Sequence, residues 1–131
     1  MATLNARSLA LLDGVYPDLK KIVLRCAKDS KIDFIVTEGR RTLARQKELV
    51  AKGASKTMKS RHLPSADGKS RACDLAVMVG GKVRWDWPLY ANLAKDMKAA
   101  ANAVGVPMEW GGDWRSFKDG PHYQLPWAKY P

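Results

Sequence analysis

The first half of the chain shows apolar stripes at helical spacing, separated by one β-branched run. Pro17 suits the first turn of a helix, and the apolar positions that follow it recur every three or four residues, namely Leu19, Ile22, Val23, Cys26 and Ala27. A shorter opening helix is predicted by Leu4, Ser8, Leu11, Leu12 and Val15. Residues 32–39 are rich in β-branched side chains and end in glycine, so they predict a strand followed by a turn. Thr42 predicts the N-cap of a third helix that ends at Gly53.

The second half predicts a hairpin, one long helix and a tail of short strands. Two strand-like runs flank Gly80 and Gly81, which suit a two-residue hairpin turn. A helix is predicted from about residue 88 to 104 and is closed by Gly105; its buried face comprises Leu89, Leu93, Met97, Ala100, Ala101 and Val104. The tail has room only for short strands joined by glycine-rich turns. We therefore predict an α+β fold in which a small antiparallel sheet packs against helices.

No repeat, low-complexity stretch or linker divides the 131 residues, of which 46% are hydrophobic and 27% charged, as in a globular protein. Residues 54–71 show neither helical nor strand periodicity and predict a long loop, which in compact domains is often functional. No apolar run approaches the roughly 20 residues that cross a bilayer, and the N-terminus lacks the pattern of a secretory signal. We expect one domain over residues 1–131, made in the cytoplasm, without a separate cell-wall-binding domain.

The chain is strongly basic, with a formal net charge of +10 and a pI of about 9.8. Ten basic but only three acidic residues lie between Glu38 and Arg71. This charge is either a solvated surface or an attraction to polyanions, such as a bacterial envelope or nucleic acid. No helix-turn-helix, RNP or zinc-finger pattern accompanies it, which disfavours specific nucleic-acid binding. Cys26 and Cys73 form no CxxC motif and are expected to be buried reduced thiols.

Five tryptophans are many for this length. Trp85 and Trp87 follow the predicted hairpin and are expected to pack in the core. Trp110 and Trp114 flank a Gly-Gly-Asp turn, and we predict that they line a cleft in which peptide or sugar could stack. Asp113 in the same segment is expected to have a structural role.

The strand that begins at Ala72 places one charged side chain among small ones. Because successive side chains point to opposite faces, Asp74 shares its face with alanines, whereas the opposite face is apolar and should meet the core: Cys73, Leu75, Val77 and Val79. In the tail, the same alternation places His122 and Gln124 on one face and Tyr123 and Leu125 on the other.

The only two histidines are candidates for a metal site with Asp74. His62, Asp74 and His122 could converge if the strands are neighbours, and two imidazoles with one carboxylate form a known catalytic zinc site that leaves a position for water. Asp119 lies three residues before His122 in a Gly-Pro turn, where its carboxylate could act as a general base. Taken singly, each of these residues has an ordinary structural interpretation as a turn former or a satisfied histidine.

Three sequence blocks resemble the zinc peptidases of the D-alanyl-D-alanine carboxypeptidase group: SRH at residues 60–62, ACDLA at 72–76 and DGPHYQL at 119–125. The flanking EGRRT, RQKELV, WDWP and EWGGDW segments are similar to the branch of phage L-alanyl-D-glutamate endopeptidases. This resemblance implies the LAS-type, hedgehog-like peptidase fold and one Zn²⁺ per chain, bound by His62, Asp74 and His122. It also implies that Asp119 is the catalytic base, that Arg41 binds the scissile carbonyl oxygen and that Ser60 contacts the substrate.

The chain departs from the family pattern SxHxxGxAxD between the first two proposed ligands. Asp74 lies twelve residues after His62, which is an apparent insertion of five residues. A loop absorbs such an insertion at small entropic cost, so Asp74 is kept as the ligand. Asp67 within the insertion is a rival carboxylate, although the glycine that follows it is typical of a turn.

The resemblance implies a monomeric phage or prophage endolysin that cleaves between L-Ala and D-Glu in peptidoglycan stem peptides. It would reach the periplasmic wall from the host cytoplasm after a separate protein permeabilises the membrane, helped by attraction of its basic surface to the anionic envelope. One alternative is a D-Ala-D-Ala carboxypeptidase of the same fold, because the metal ligands do not encode which bond is cut. The other is a non-catalytic cell-wall-binding module.

Overall fold

The computed structural model describes residues 4–53, 60–115 and 118–130. Its helices are α1 (Ala6–Leu12), α2 (Pro17–Asp29), α3 (Leu43–Ala51) and α4 (Trp87–Val104). Its strands are β1 (Phe34–Glu38), β2 (Ala72–Val79), β3 (Lys82–Arg84), β4 (Glu109–Trp110) and β5 (His122–Gln124), and a 3₁₀ turn covers Gly111–Asp113. Within these ranges, no helix is long and apolar enough to cross a membrane.

One antiparallel sheet runs in the order β1-β2-β5-β4, with β3 paired to the far end of β2. Strand β2 is central: it pairs with β1 along one edge and with β5 along the other. The registers bring Glu38 of β1, Asp74 of β2 and His122 of β5 side by side. The predicted α+β class with a small antiparallel sheet is therefore confirmed, and the sheet carries the polar residues singled out from the sequence.

Local sequence signals set the helix ends where they were predicted. The Thr42 hydroxyl accepts a hydrogen bond from the backbone N–H of Arg45 (3.1 Å) and caps α3. Gly105 ends α4 in the left-handed conformation, with φ at 72°. In the hairpin, both turn glycines have positive φ, 59° at Gly80 and 79° at Gly81, as a type I′ turn requires.

Helix α4 packs on α2 and on β2, α1 packs on β1, and buried residues of these elements form one core. All five residues of the predicted α2 stripe are buried, which confirms it. On α4 the buried face also contains Tyr90 and Ala94, whereas Leu89 and Val104 are only partly buried. Tyr90 was missed because its hydroxyl has buried partners: it accepts from the N–H of Val77 (3.0 Å) and donates to the carbonyl of Arg84 (2.7 Å).

Both cysteines are free and buried, as predicted. Three other expectations about burial are wrong. Val79 is 47% exposed because β2 extends beyond the helices at its last residue. Trp85 and Trp87 are 62% and 47% exposed, because Trp85 follows the end of β3 and Trp87 is the first residue of α4, at the border of the core.

The described part of the predicted long loop, residues 60–71, runs across the junction between α1 and α2 without forming a strand, apart from one isolated bridge. Ser70 pairs with Val15 in that bridge, donates to the carbonyl of Gly14 (2.9 Å) and accepts from the N–H of Tyr16 (2.8 Å). Residues 54–59 of the predicted loop lie outside the described residues. The junction anchors the loop immediately before β2 and so fixes the approach to the candidate site.

Candidate active site

Three side chains from three different segments meet at the middle of the sheet. Asp74 Oδ1 lies 3.2 Å from His62 Nε2 and 3.1 Å from His122 Nδ1. One potential ligand atom from each residue lies within 4.8 Å of the other two. Asp74 and His122 are directly opposite each other on β2 and β5, and the loop carries His62 over them. Both histidines are almost fully buried, with exposed fractions of 2% and 6%.

The outer nitrogen of each imidazole has a fixed partner. His62 Nδ1 lies 2.8 Å from the carbonyl oxygen of Gly39, which only accepts, so this nitrogen carries the proton of the neutral ring. His122 Nε2 lies 2.8 Å from Gln124 Oε1. The amide nitrogen of Gln124 donates to Glu109 (3.0 Å), which fixes the amide orientation and makes His122 Nε2 a donor as well.

The inner atoms of the cluster are consequently all acceptors. Two unprotonated nitrogens face one carboxylate oxygen, an arrangement without an internal donor while both rings are neutral. A cation between the three atoms satisfies all of them at once. Two imidazole nitrogens and one carboxylate oxygen suit zinc better than calcium or magnesium, which prefer oxygen ligands. His62, Asp74 and His122 therefore fit the zinc ion that the sequence predicts.

The charges of the cluster are tightly coupled. Burial raises the pKa of Asp74, but hydrogen bonds and positive charge from His122 and His62, which these rings supply when protonated, outweigh burial and hold this pKa well below its usual value. Burial lowers the pKa of His122, but the hydrogen bond and negative charge of Asp74 outweigh burial and raise this pKa overall. The ionised carboxylate thus attracts positive charge to this point, from a proton or from a metal ion.

Asp119 lies in the turn that leads into β5, beside the cluster. Its N–H donates to the carbonyl of Gly111 (3.1 Å), and its own carbonyl accepts from the N–H of His122 (3.2 Å). Burial is the main cause that raises the pKa of the Asp119 carboxyl, and the negative charge of Asp74 raises it further. A carboxyl with a raised pKa beside a candidate cation site suits proton transfer at the site.

Arg41 is tied to the segment that carries His62. Its backbone N–H donates to the carbonyl of His62 (2.7 Å), and its guanidinium donates to Glu38 and to Gln46 (2.7 Å). The Ser60 hydroxyl lies 3.5 Å from the same guanidinium and accepts from the N–H of His62 (3.1 Å). Arg41 and Ser60 therefore lie in the same buried network as the first histidine.

Sequence reasoning missed two polar residues of this network. Glu38 lies opposite Asp74 in the sheet, and its carboxylate is 3.9 Å from His62 Nε2. Gln46 is fully buried although it lies on a helix that is otherwise largely exposed. The available signal for Glu38 was its position at the end of a buried strand. Gln46 gives no sequence signal, because a single glutamine on an amphipathic helix is ordinary surface chemistry.

Of the two tryptophans that were predicted to line a cleft, only Trp114 lies beside the cluster. The Trp114 ring is half-buried and its centroid lies 5.2 Å from that of the His122 ring, so it borders the site. Trp110 is only 8% exposed, and its indole N–H donates to the carbonyl of Gly120 (2.7 Å). Trp110 therefore supports the Asp119 turn from the core side and does not form a cleft wall as predicted.

The insertion after His62 forms a compact turn at the surface. Ser65 pairs with Gly68 and Lys69 through backbone hydrogen bonds of 2.9 and 3.0 Å. The Asp67 carboxylate is exposed and accepts from Arg71 (2.9 Å), and this hydrogen bond is the main cause that lowers the pKa of Asp67. The Asp67 carboxylate therefore stabilises this turn and is not part of the three-residue cluster. Asp113 is also exposed and pairs with Lys98 (2.8 Å), in keeping with a structural role.

Comparison with known proteins agrees with this geometry. The family described as phage L-alanyl-D-glutamate peptidase matches residues 1–124. The L-alanyl-D-glutamate peptidase of Listeria phage A118 is 34% identical over 128 residues; the match covers 95% of this chain but only 43% of that protein. The enzyme of the same name from Escherichia phage T5 is 30% identical over 112 residues, covering 82% of this chain and 78% of that protein.

A solved structure matches over the whole length. The crystal structure of the L-Ala D-Glu endopeptidase ChiX from Serratia marcescens superposes with a TM-score of 0.90 and 41% sequence identity, covering 100% of this chain and 94% of that one. At this identity the two folds are closely similar, including the sheet that carries the three-residue cluster.

Proposed function

Because the chain belongs to the phage L-alanyl-D-glutamate peptidase family, we propose that it hydrolyses the bond between L-alanine and D-glutamate in the stem peptides of peptidoglycan. The observation that carries this proposal is the convergence of His62, Asp74 and His122, with all inner atoms arranged as acceptors. The names and activities of the relatives support the same bond specificity.

We propose that these three residues hold one zinc ion per chain. When bound, zinc supplies Lewis-acid chemistry, since it lowers the pKa of a coordinated water to about 7 and polarises a carbonyl group. The outer hydrogen bonds to Gly39 and Gln124 keep both rings in the tautomer that binding requires. Elemental analysis of the purified protein tests this assignment: about one equivalent of zinc is expected, and its loss is expected in His122→Ala.

The remaining chemistry falls to Asp119 and Arg41. Asp119, beside the cluster, takes the proton of the attacking water and later delivers it to the leaving amine of D-glutamate. Arg41, fixed by Glu38 and Gln46, donates a hydrogen bond to the carbonyl oxygen on which negative charge develops. Ser60, beside Arg41 and His62, and Trp114, beside His122, would contact the stem peptide.

The decisive experiment is digestion of purified sacculi followed by mass spectrometry of the released fragments. Fragments with a new amino terminus on D-glutamate are expected. Free D-alanine would instead identify a carboxypeptidase, and the absence of any product with zinc supplied would leave a cell-wall-binding module.

We further propose that the chain works as a monomeric lytic enzyme on the cell wall, reached once the host membrane has been permeabilised. Its net charge of +10 would increase its concentration at the anionic envelope. Size-exclusion chromatography with light scattering tests the monomer. Lysis of outer-membrane-permeabilised cells at increasing salt tests the electrostatic attraction, which should weaken as salt screens it.

A further inference from the structure

Two large aromatic rings lie exposed where the β3 strand leads into α4. The Trp85 side chain stacks on Tyr90, with ring centroids 5.8 Å apart and planes 8° from parallel, and it remains 62% exposed. The Trp87 ring packs 5.8 Å from Trp110 and remains 47% exposed. We refer to Trp85 and Trp87 as the tryptophan shelf. Solvent-exposed aromatic surface of this kind commonly marks a binding site.

The tryptophan shelf is continuous with the turn that carries Asp119. A side chain at Gly120, the next residue, would meet the Trp87 ring at 3.3 Å and Cβ of Tyr90 at 3.4 Å. Trp110, under Trp87, donates its indole N–H to the carbonyl of the same glycine. The shelf and the proposed catalytic base therefore share one rigid support, and a ligand on the shelf lies next to the site.

Tyr90 and Trp110, on which the indoles of the tryptophan shelf pack, are themselves held by hydrogen bonds. Tyr90 lies beneath Trp85, and its hydroxyl is anchored to the backbone of both Val77 and Arg84. A ring that is already ordered loses little conformational entropy when a ligand stacks on it.

A charged pair flanks the two tryptophans in the sequence. Asp86 separates Trp85 from Trp87 in sequence, and its carboxylate pairs with Arg84 at 2.5 Å, with both side chains about half exposed. A flat aromatic face beside polar donors and acceptors fits a carbohydrate, whose rings present apolar C–H faces edged by hydroxyl groups. Insertion into a lipid bilayer would instead require burial of this carboxylate and guanidinium, at a high cost in desolvation.

We propose that the tryptophan shelf binds the sugar chain of the peptidoglycan substrate. This inference rests on the proposed function, because the alanine whose bond is cut is itself attached to the sugar. One residue spans at most about 3.6 Å, so a sugar that follows the alanine must lie close to the catalytic centre. The shelf borders that centre at Gly120.

The first test compares two substrates that share the scissile bond: a stem peptide without sugar and the same peptide attached to its disaccharide. Trp85→Ala is expected to lower kcat/KM for the sugar-linked substrate by about tenfold and to leave the free peptide within twofold. Trp127→Ala is the matched control, because this indole is also exposed (53%) but packs on Arg61; it should leave the ratio of the two substrates unchanged. Equal losses on both substrates, or no loss on either, would overturn the proposal.

The second test does not depend on hydrolysis. Glycan strands stripped of their peptides are titrated into the wild type and Trp85→Ala while intrinsic tryptophan fluorescence is recorded. Saturable quenching whose apparent affinity falls about tenfold in Trp85→Ala supports the shelf. This outcome holds even if the digestion of sacculi shows another bond specificity or no cleavage. Absence of binding, or equal binding by wild type and variant, would overturn the shelf while leaving the proposed peptidase activity unaffected.

Discussion

At the scale of single residues, orientation of the candidate ligands depends on side chains one step away from them. Gln124 accepts from His122 Nε2 and donates to Glu109, so one amide links the ring to β4. Glu38 and Gln46 accept hydrogen bonds from the Arg41 guanidinium and so fix its orientation. Such outer partners fix the tautomer and direction of a ligand before any ion binds.

Replacement of Gln124 should weaken metal binding without removing a ligand. In Gln124→Ala the outer nitrogen of His122 loses its acceptor, so the ring is free to rotate or to protonate the inner nitrogen. We expect zinc affinity to fall by roughly 10–100-fold, as measured by competition with a chromophoric chelator. Gln124→Glu alone would place a second carboxylate against Glu109, so the control is the double variant Gln124→Glu/Glu109→Gln, which keeps an acceptor for His122 and a donor between the two side chains and should retain most of the affinity. Unchanged affinity in Gln124→Ala would contradict this role.

Asp119→Asn should separate catalysis from metal binding. The amide keeps the size of the side chain but cannot take a proton, so hydrolysis of sacculi should fall by at least about 10²–10⁴-fold, while the zinc content stays near that of the wild type. Activity close to that of the wild type would exclude Asp119 as the base.

The pH dependence of wild-type activity provides a second check on Asp119. A base acts only when deprotonated, and burial together with the charge of Asp74 raises the pKa of this carboxyl above its ordinary value of 3.8. Activity should therefore decline, as the pH is lowered, at a higher pH than an ordinary aspartate would give. The measurement is kcat/KM across the acidic range, with zinc content verified at each pH.

At the scale of elements, the close approach of the 3₁₀ turn to the Asp119 turn depends on one missing side chain. A Cβ on Gly111 would lie 3.0 Å from Cβ of Asp119 and 3.1 Å from Cβ of His122, and would collide with the Asp119 carbonyl. The two turns and β5 therefore pack together only if residue 111 is glycine.

Gly111→Ala should displace the Asp119 turn and reduce both stability and activity. We expect a loss of about 1–3 kcal/mol in the free energy of unfolding from overpacking, measured by urea denaturation, together with a much larger loss of hydrolysis. Gly53→Ala is the control: it strains a position with φ of 74° but meets no atoms within 4 Å, so it should cost about 1 kcal/mol and leave activity intact. Equal activity in the two variants would contradict a positioning role for this turn.

The periodicity of the sequence determined most of the elements correctly. The α2 stripe, the glycine hairpin and the alternation of Tyr123 against His122 follow from local spacing, and the structure confirms each. Burial of Trp85, Trp87 and Val79 was predicted wrongly, because hydrophobic type alone does not tell which residues lie at an element's end and so remain exposed. The motif blocks that predicted the phage peptidase family are confirmed by the match over residues 1–124.

The candidate site was only partly predictable for a different reason. His62, Asp74 and His122 are rare residue types in recognisable blocks, so they could be singled out before their contacts were known. Glu38 and Gln46 are common types whose importance comes from register and tertiary packing alone. Trp110 was assigned to a cleft because it flanks a Gly-Gly-Asp turn; in the structure Gly112 of that turn makes room for the Trp110 ring to lie against it.

At the scale of the whole molecule, the candidate metal site joins one loop to two paired strands. His62 belongs to the loop that crosses α1 and α2, Asp74 to the central strand and His122 to the tail. Beside His62, Arg61 donates to the carbonyl oxygens of Leu125 (2.9 Å) and Tyr130 (2.5 Å), and so ties the loop to the tail a second time. An ion bound by all three ligands would act as a further cross-link between these segments.

Metal binding should therefore stabilise the fold as a whole. A ligand that binds only the native state adds RT ln(1 + [L]/Kd) to the free energy of unfolding, about 4.1 kcal/mol when zinc is present at 1,000 times its Kd. For a domain of this size we expect a rise in Tm of roughly 10–20 °C, measured by differential scanning fluorimetry of the chelator-treated protein with and without zinc. Magnesium at the same concentration should produce little shift, because the site offers two imidazole nitrogens.

In His122→Ala the rise in Tm should be largely lost, since the two remaining ligands cannot hold all three segments. If that variant gained as much as the wild type, the stabilising ion would bind elsewhere on the surface and the cluster could not be the cross-link.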